Sequence, residues 1–569
     1  MKRILSKCVA RLVSSRLLLS CALCSAVLAV GCEDTERPTS GADASVDPTK
    51  ASPSAGGDAS VKLSLTPTWS EHIAPMVSQH CSSCHKENGI APFSMQSYES
   101  AKSFAKSMAA AVERGSMPPF LAQETAECTP KNKYANDTRL SAEQKALLRA
   151  WADADAPEGD KTKAAPLLPP PVTALAREDI VVTLPTPIVV EKNAKGDIHT
   201  CVPVDLGLTK DVYVSGRQIT SGNDKVLHHV VTYVVKPAKT DGTKVTKAEM
   251  AAAFKKAKGA GIGERYDCFG GPNIQDTGLQ FELLGAWAPG SQPTTGPTDS
   301  GQPLAADSLA VLDIHYHPLA SGPETDSKTK LSLMLTEGIP SLVARPLLIG
   351  NFTAHNETQF GVTDLVKQPD EQTAEFKIPA GAKNHVEEMT FKWKLLQSPL
   401  KVYFSGTHMH YVGRDMKVTL ENTTPQPGED AKECLVQTPK WDFNWQGGYG
   451  YDTTYDKLPV LNDGDVLRMR CIYDNTRDNN FLAKALDEQG KANPVDVVLG
   501  EDTLDEMCLA SIGLVYPNAA KYAVDAGTPT VDAGATADAG TAADAGAAAD
   551  AGAATDAGSS ITLSDASAP

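Results

Sequence analysis

The apolar residues change period along this chain, and each change marks a boundary. Between residues 65 and 160 they recur at helical spacing. Trp69 to Gln79 and Tyr98 to Arg114 each present one apolar face. Leu147, Leu148 and Trp151 line one side of Ser141 to Ala154, with Ser141 placed as an N-cap. A Lys/Ala/Pro stretch, Lys161 to Val172, is centred on Pro169-Pro170-Pro171 and reads as a stiff linker. From Ile180 to about Tyr516 the texture is β. Runs such as Ile180 to Leu184, Val230 to Val235, Leu331 to Leu335 and Lys417 to Leu420 are separated by Gly, Pro, Asn and Asp turns. That span is long for one antiparallel sandwich and predicts two, joined near Gly338-Ile-Pro340. From Val524 the unit Asp-Ala-Gly recurs, first at Asp525-Ala526-Gly527 and last at Asp556-Ala557-Gly558, with no large apolar residue in step. Such a tail is expected to be disordered.

The ends carry addressing signals. Lys2, Arg3, Lys7, Arg11 and Arg16 precede an apolar run, Leu17 to Val30, that is short for a membrane span. The run ends in Leu28-Ala29-Val30-Gly31-Cys32, similar to a bacterial lipoprotein cleavage site. Cys32 would then be acylated, leaving the chain exported and lipid-anchored to a bacterial membrane, at its periplasmic face or the cell surface. Residues 33 to 60, rich in Asp, Ser, Thr, Pro, Ala and Gly, suit a tether. The net charge is −17, and removing five basic residues with the leader deepens it. Nucleic-acid binding is excluded as a role. Export implies an oxidising compartment. Cys128, Cys201, Cys268, Cys434, Cys471 and Cys508 are then free to pair, and spacing does not choose among the pairings.

Cys81-Ser82-Ser83-Cys84-His85 matches the attachment motif of a c-type haem. Two thiols at that spacing can form thioethers to one porphyrin, and the next residue offers an imidazole to the iron. The competing reading is a Cys-x-x-Cys disulfide beside an unrelated histidine. Met117, in Gly115-Ser116-Met117-Pro118-Pro119, is the candidate second axial ligand, and a Met/His pair raises the reduction potential. Met76, Met95 and Met108 fit core positions better, and His72 and His80 surface or structural ones.

Of the twelve histidines, six fall in three tight clusters: His228-His229, His315-Tyr316-His317 and His408-Met409-His410. Each lies in a strand-like context. Residues i and i+2 of a strand share a face, so His408 and His410 can reach one metal. His228 and His229 would point to opposite faces of a regular strand, so sharing an ion requires irregular backbone there. Imidazole suits zinc, copper, nickel and iron, and a nearby thioether would select copper. Asp313 is the one carboxylate close to the clusters in sequence.

His228-His229, Asp313-Ile-His315-Tyr316, Thr407-His408-Met409-His410-Tyr-Val-Gly413 and Asp505-Glu506-Met507-Cys508 occur in that order. This pattern resembles the copper type II, ascorbate-dependent monooxygenases, the family of peptidylglycine α-hydroxylating monooxygenase and dopamine β-monooxygenase, over about residues 180 to 517. The resemblance implies two consecutive jelly-roll-like β-sandwiches, each carrying one copper across a solvent-filled cleft. His228, His229 and His315 would hold the electron-transfer copper, and His408, His410 and Met507 the oxygen-binding copper. It also implies a Cys471–Cys508 disulfide fixing the Met507 loop; the pairing of Cys128, Cys201, Cys268 and Cys434 stays open, with Cys201–Cys268 one candidate. His317 reads as a bystander. The arginine that holds a peptide carboxylate in the amidating enzyme is replaced here by Gly406, and its helpers by Leu509 and Ser511. A glycine-extended peptide is therefore not the expected substrate.

The expected organisation is multidomain, with a small all-α cytochrome c-like domain followed by two antiparallel β-sandwiches. The parts are a leader (1–31), tether (32–64), cytochrome c-like domain (65–160), Pro-rich linker (161–177), three-histidine sandwich (178–340), His/His/Met sandwich (341–520) and tail (521–569). The expected activity is hydroxylation of a C–H bond in a small-molecule substrate by O₂. It would use two coppers, one covalent haem c, and ascorbate or another one-electron reductant or redox partner. The haem would feed the three-histidine copper. The alternative is a non-catalytic exported copper and haem protein that binds metal or transfers electrons.

Overall fold

The computed structural model describes residues 66–525 except 88–90, 170–173, 193–196, 269–270, 290, 320–321, 351–354, 359, 370, 395–398, 426, 428–429 and 501–503. The described residues belong to one compact unit, Ser60–Pro569. The leader, Cys32, the tether and the repeats beyond Asp525 lie outside them. Among the described residues no helix is long and apolar enough to cross a membrane.

The chain is mostly β-sheet with few helices. The first 90 or so described residues hold most of the helix, in short pieces: Ala74–His80, Tyr98–Lys102, Ala105–Glu113 and Ala142–Asp153. The last begins at Ser141, whose hydroxyl accepts from Gln144 N while the Gln144 side chain accepts from Ser141 N, a capping box. The apolar run Tyr98 to Arg114 is two helices, not one, because the chain breaks at Ser103 and Phe104. Trp69, Ile73, Met76, Met95, Met108, Leu148 and Trp151 close a small core, with Cys81, Phe93 and Met117 packed against it.

Two further cores organise the β region. In the first, Val202, Val230, Val234, Leu312 and Ile314 from a five-stranded sheet face Val214, Ile219, Leu331 and Leu333 from a ten-stranded one. In the second, Val402, Ile512 and Leu514 of that same ten-stranded sheet face Met389, Phe391, Val418, Leu467 and Met469 of a six-stranded sheet. The large sheet therefore runs through both sandwiches. Its seam is a short parallel pairing of Ser300–Leu304 with Leu342–Gly350, an exception to the antiparallel pattern expected. Three disulfides form: Cys471–Cys508, Cys201–Cys268 and Cys128–Cys434.

The Cys128–Cys434 bridge changes the reading of residues 65–160. Residues 119–139 do not belong to the helical core. Phe120, Leu121, Ala122 and Tyr134 are buried in the core of the second sandwich. Gln123 N donates to Gln437 O at 3.0 Å, Ala135 N to Gly450 O at 2.8 Å, and the Tyr134 hydroxyl to Leu435 O at 3.2 Å. This strap has no apolar period of its own, because its side chains fill gaps in another domain's core. Cys434→Ser is expected to cost about 2–5 kcal/mol, since the bridge closes a long loop. The check is a lower denaturant midpoint together with protease cleavage inside 119–139, where the parent chain resists.

Candidate metal centres

The first centre is built by strand register. His199 on Ile198–Asp205 and His229 on Leu227–Lys239 are both paired with His315 on Leu309–Tyr316. Directly opposed residues of neighbouring strands share a face, so three imidazoles stand in a row. The opposite face of the His315 strand is spent on the core, through Ala310, Leu312, Ile314 and Tyr316. One step further the register slips, and Tyr316 pairs with Leu227 instead of His228. His228 is the extra residue of a β-bulge, which turns its side chain out of the normal alternation. This supplies the irregular backbone that adjacent histidine ligands require.

The result is a tight trio. The Nδ1 atoms of His228 and His229 are 3.2 Å apart, those of His229 and His315 3.2 Å, and those of His228 and His315 3.3 Å. Nitrogens bound to one first-row ion at about 2.0–2.1 Å and tetrahedral angles stand about 3.3 Å apart, so the trio fits such an ion. Burial, with His315 beside them, holds His228 and His229 well below the ordinary imidazole range, which keeps them as neutral ligands.

Asp197 backs this trio and was not anticipated. Its carboxylate lies 2.9 Å from His315 Nε2 and 2.8 Å from His317 Nδ1. Burial raises the Asp197 carboxyl, but the hydrogen bonds and charges of His315 and His317 outweigh it and hold it well below the ordinary range. A carboxylate on the far nitrogen fixes ring orientation and tautomer in metal-bound histidines. His317 is thus no bystander, since it shares the carboxylate that orients His315. The His199 ring stacks on His315 at 4.3 Å. Asp313, the carboxylate singled out from sequence, instead lies 3.6 Å from Cys268 Sγ, within the Cys201–Cys268 disulfide.

The second centre forms where Leu400–His408 ends. His408 is paired with Leu509 at the start of Leu509–Pro517, which puts the segment carrying Met507 next to it. The His408 Nδ1 is 2.7 Å from Gln446 Oε1, and the His410 Nδ1 is 3.1 Å from Asp505 O. Both rings therefore donate through Nδ1 and keep Nε2 for a ligand role. Buried Glu506 ties the pieces together, because its carboxylate accepts from the backbone N–H of His410, Val412 and Met507. The Tyr473 hydroxyl donates to Met507 O at 2.8 Å, and Cys508 is bridged to Cys471 on the Tyr473 strand. Met507 is thereby anchored from three directions. Burial lowers His408 to about 4, and burial with His408 alongside lowers His410 to about 3.

The two centres lie close together. The Phe443 ring stacks on His228 at 4.6 Å and meets His410 edge-on at 6.0 Å. A buried aromatic side chain, Phe443, thus contacts both histidine sets. At the helical end, Cys81 and Cys84 are unpaired, so the competing Cys-x-x-Cys disulfide is not formed. His85 is buried, with Nδ1 3.1 Å from Phe93 O, which leaves Nε2 for a ligand role. Two free thiols, an oriented imidazole and Met117 against the same core fit a covalently held haem.

No family model and no curated protein matches this sequence. Among solved structures, the major capsid protein P2 of bacteriophage PM2 matches at 8% identity and TM-score 0.21, covering 59% of this chain and 98% of that one. A Corynebacterium diphtheriae protein described as membrane anchored matches at 10% identity and TM-score 0.09, covering 51% and 89%. Similarity at that level carries no argument about fold or role.

Two outcomes follow from these sites. Asp197→Asn is expected to weaken metal binding at the trio by about 10–100-fold, read by chelator competition. The metal-free protein is expected to lose stability as pH falls from about 6.5 towards about 4. Unfolded histidines take up protons near 6.5 while folded His408 and His410 resist to about 4 and about 3. Denaturation midpoints across that window check this, and His408→Gln/His410→Gln is expected to flatten the profile.

Proposed function

We propose that this chain is an exported, copper-dependent monooxygenase of the type II, ascorbate-dependent kind, with a c-type cytochrome domain in front of its two jelly-roll-like sandwiches. The observations that support the reading are a trio of imidazoles in one place and, in another, His408 and His410 next to the anchored backbone of Met507, whose thioether would complete an unlike ligand set. A storage site has no need for that asymmetry. Copper at these sites would supply oxygen activation and one-electron delivery, and a thioether favours its reduced state.

The protein's own groups set the conditions for that chemistry. Burial keeps His228, His229, His408 and His410 neutral, Asp197 and Gln446 fix His315 and His408 in orientation, and Glu506 and the Cys471–Cys508 bridge hold the Met507 backbone in place. The substrate is a small neutral molecule. Position 406 is a glycine, which offers no guanidinium to hold a carboxylate, and an added Cβ there would stand a tight 3.3 Å from Gly447 O and 3.3 Å from Gly448 Cα. Trp441, Phe443 and Tyr411 supply an aromatic surround for His410 and suit an aromatic or aliphatic compound. Acylation at Cys32 would keep the enzyme at the membrane surface.

Oxygen uptake by the copper-loaded chain, with ascorbate and a panel of neutral aromatic and aliphatic compounds, tests the reading. Substrate-dependent uptake that is abolished in Met507→Ile, with metal retained by the three-histidine trio, is the expected result. Copper binding without uptake for any compound would leave an electron-transfer or copper-binding protein in its place.

A further inference from the structure

We infer that electrons enter this protein at the His408/His410/Met507 sandwich, through a fixed route formed by Phe120, Tyr449 and Gln446, and not at the three-histidine trio. The inference rests on the functional reading above and specifies how its helical domain is used. It reverses the direction expected from sequence.

The route follows the chain. Met117 packs against the same helical core as Cys81 and Phe93. Three residues later Phe120 is buried in the second sandwich. Three extended residues span at most about 11 Å, so the two cores nearly touch along this segment. The Phe120 ring meets the Tyr449 ring at 4.9 Å, and the backbone of Leu121 and Ala122 hydrogen-bonds to the Tyr449 hydroxyl. Tyr134 adds a second ring 5.5 Å from Tyr449. Tyr449 lies on Gly448–Gly450, paired with Ser405 of the strand that ends in His408. Gln446, three positions earlier, accepts from the His408 ring at 2.7 Å. Every link is a bond, a hydrogen bond or a packed ring.

The contact is also fastened. Cys128–Cys434 is covalent, Thr125 Oγ1 donates to Gln437 Oε1 at 2.7 Å, and Glu127 binds both Lys417 and Arg470. Electron tunnelling weakens steeply with distance and is favoured by bonded, packed atoms over water. A covalently stapled junction limits changes in that distance, whereas a carrier that shuttles between sites would need a loose one. With a c-type haem held by Cys81, Cys84 and His85 and copper by His408 and His410, one electron would leave ferrous iron and reduce a cupric ion to cuprous, with no atom or proton moved. The Phe443 ring, on His228 on one side and His410 on the other, continues the packed path to the trio.

The test uses the full chain carrying haem and Cu(II), both first quantified by pyridine haemochrome and metal analysis. A photoreductant delivers less than one electron per chain, and the haem α-band and the Cu(II) EPR signal are followed without oxygen or substrate. The expected result is that His315→Ala keeps the fast reoxidation of haem and His408→Ala loses it. Tyr449→Leu, with haem and copper content retained, is expected to slow it. Any other pattern in the two histidine variants overturns the route while leaving the functional reading in place. A full chain that takes up no haem or no copper overturns that reading, and the route with it.

Discussion

The arrangement depends on three buried imidazole nitrogens held 3.2–3.3 Å from one another. Burial disfavours the charged forms of His228 and His229, and the three ring nitrogens converge on one point. Holding three imidazoles this close and away from water is a cost that the fold carries. The sheet supports that cost because the opposite face of the same strands is fully committed to a hydrophobic core. Register fixes His229 and His315, and a single bulge brings in His228.

The second centre is held by different means. No sheet register lines up His410 and Met507, so a buried carboxylate, a tyrosine hydroxyl and a disulfide do that work. The ten-stranded sheet runs through both sandwiches and keeps the two centres in one frame, with Phe443 between them. The strap 119–139 then fastens the helical domain to the second centre's sandwich. Order in the chain and order in space therefore differ. The helical domain precedes the trio in sequence but is bound to the domain that follows it.

Much of this was legible in the sequence where the signal is local. The capping box at Ser141 and the strand runs at Ile180, Val230, Leu331 and Lys417 follow from period and propensity. The resemblance supplied Cys471–Cys508, whereas spacing left the other four cysteines open and only the fold pairs Cys201 with Cys268 and Cys128 with Cys434. What escaped was non-local. A bulge has no sequence marker, so His228 and His229 posed a problem that only register resolved. Asp197 lies in no histidine cluster, and the proximity of Asp313 in sequence was misleading because that side chain faces the Cys201–Cys268 bridge. The strap looked like part of the helical domain because nothing in it announces that its aromatic residues complete another core. Phe443 and Gln446 sit in a short turn whose only distinction is what it touches.

The central claim is that the two side-chain sets are metal centres. Anomalous diffraction at the copper edge, from crystals of the copper-loaded protein, tests it most directly. The account predicts one peak among the Nδ1 atoms of His228, His229 and His315, and a second against the Nε2 atoms of His408 and His410 with the Met507 thioether. Copper found only at surface histidines, or one peak with the other set of side chains turned away from it, would contradict it.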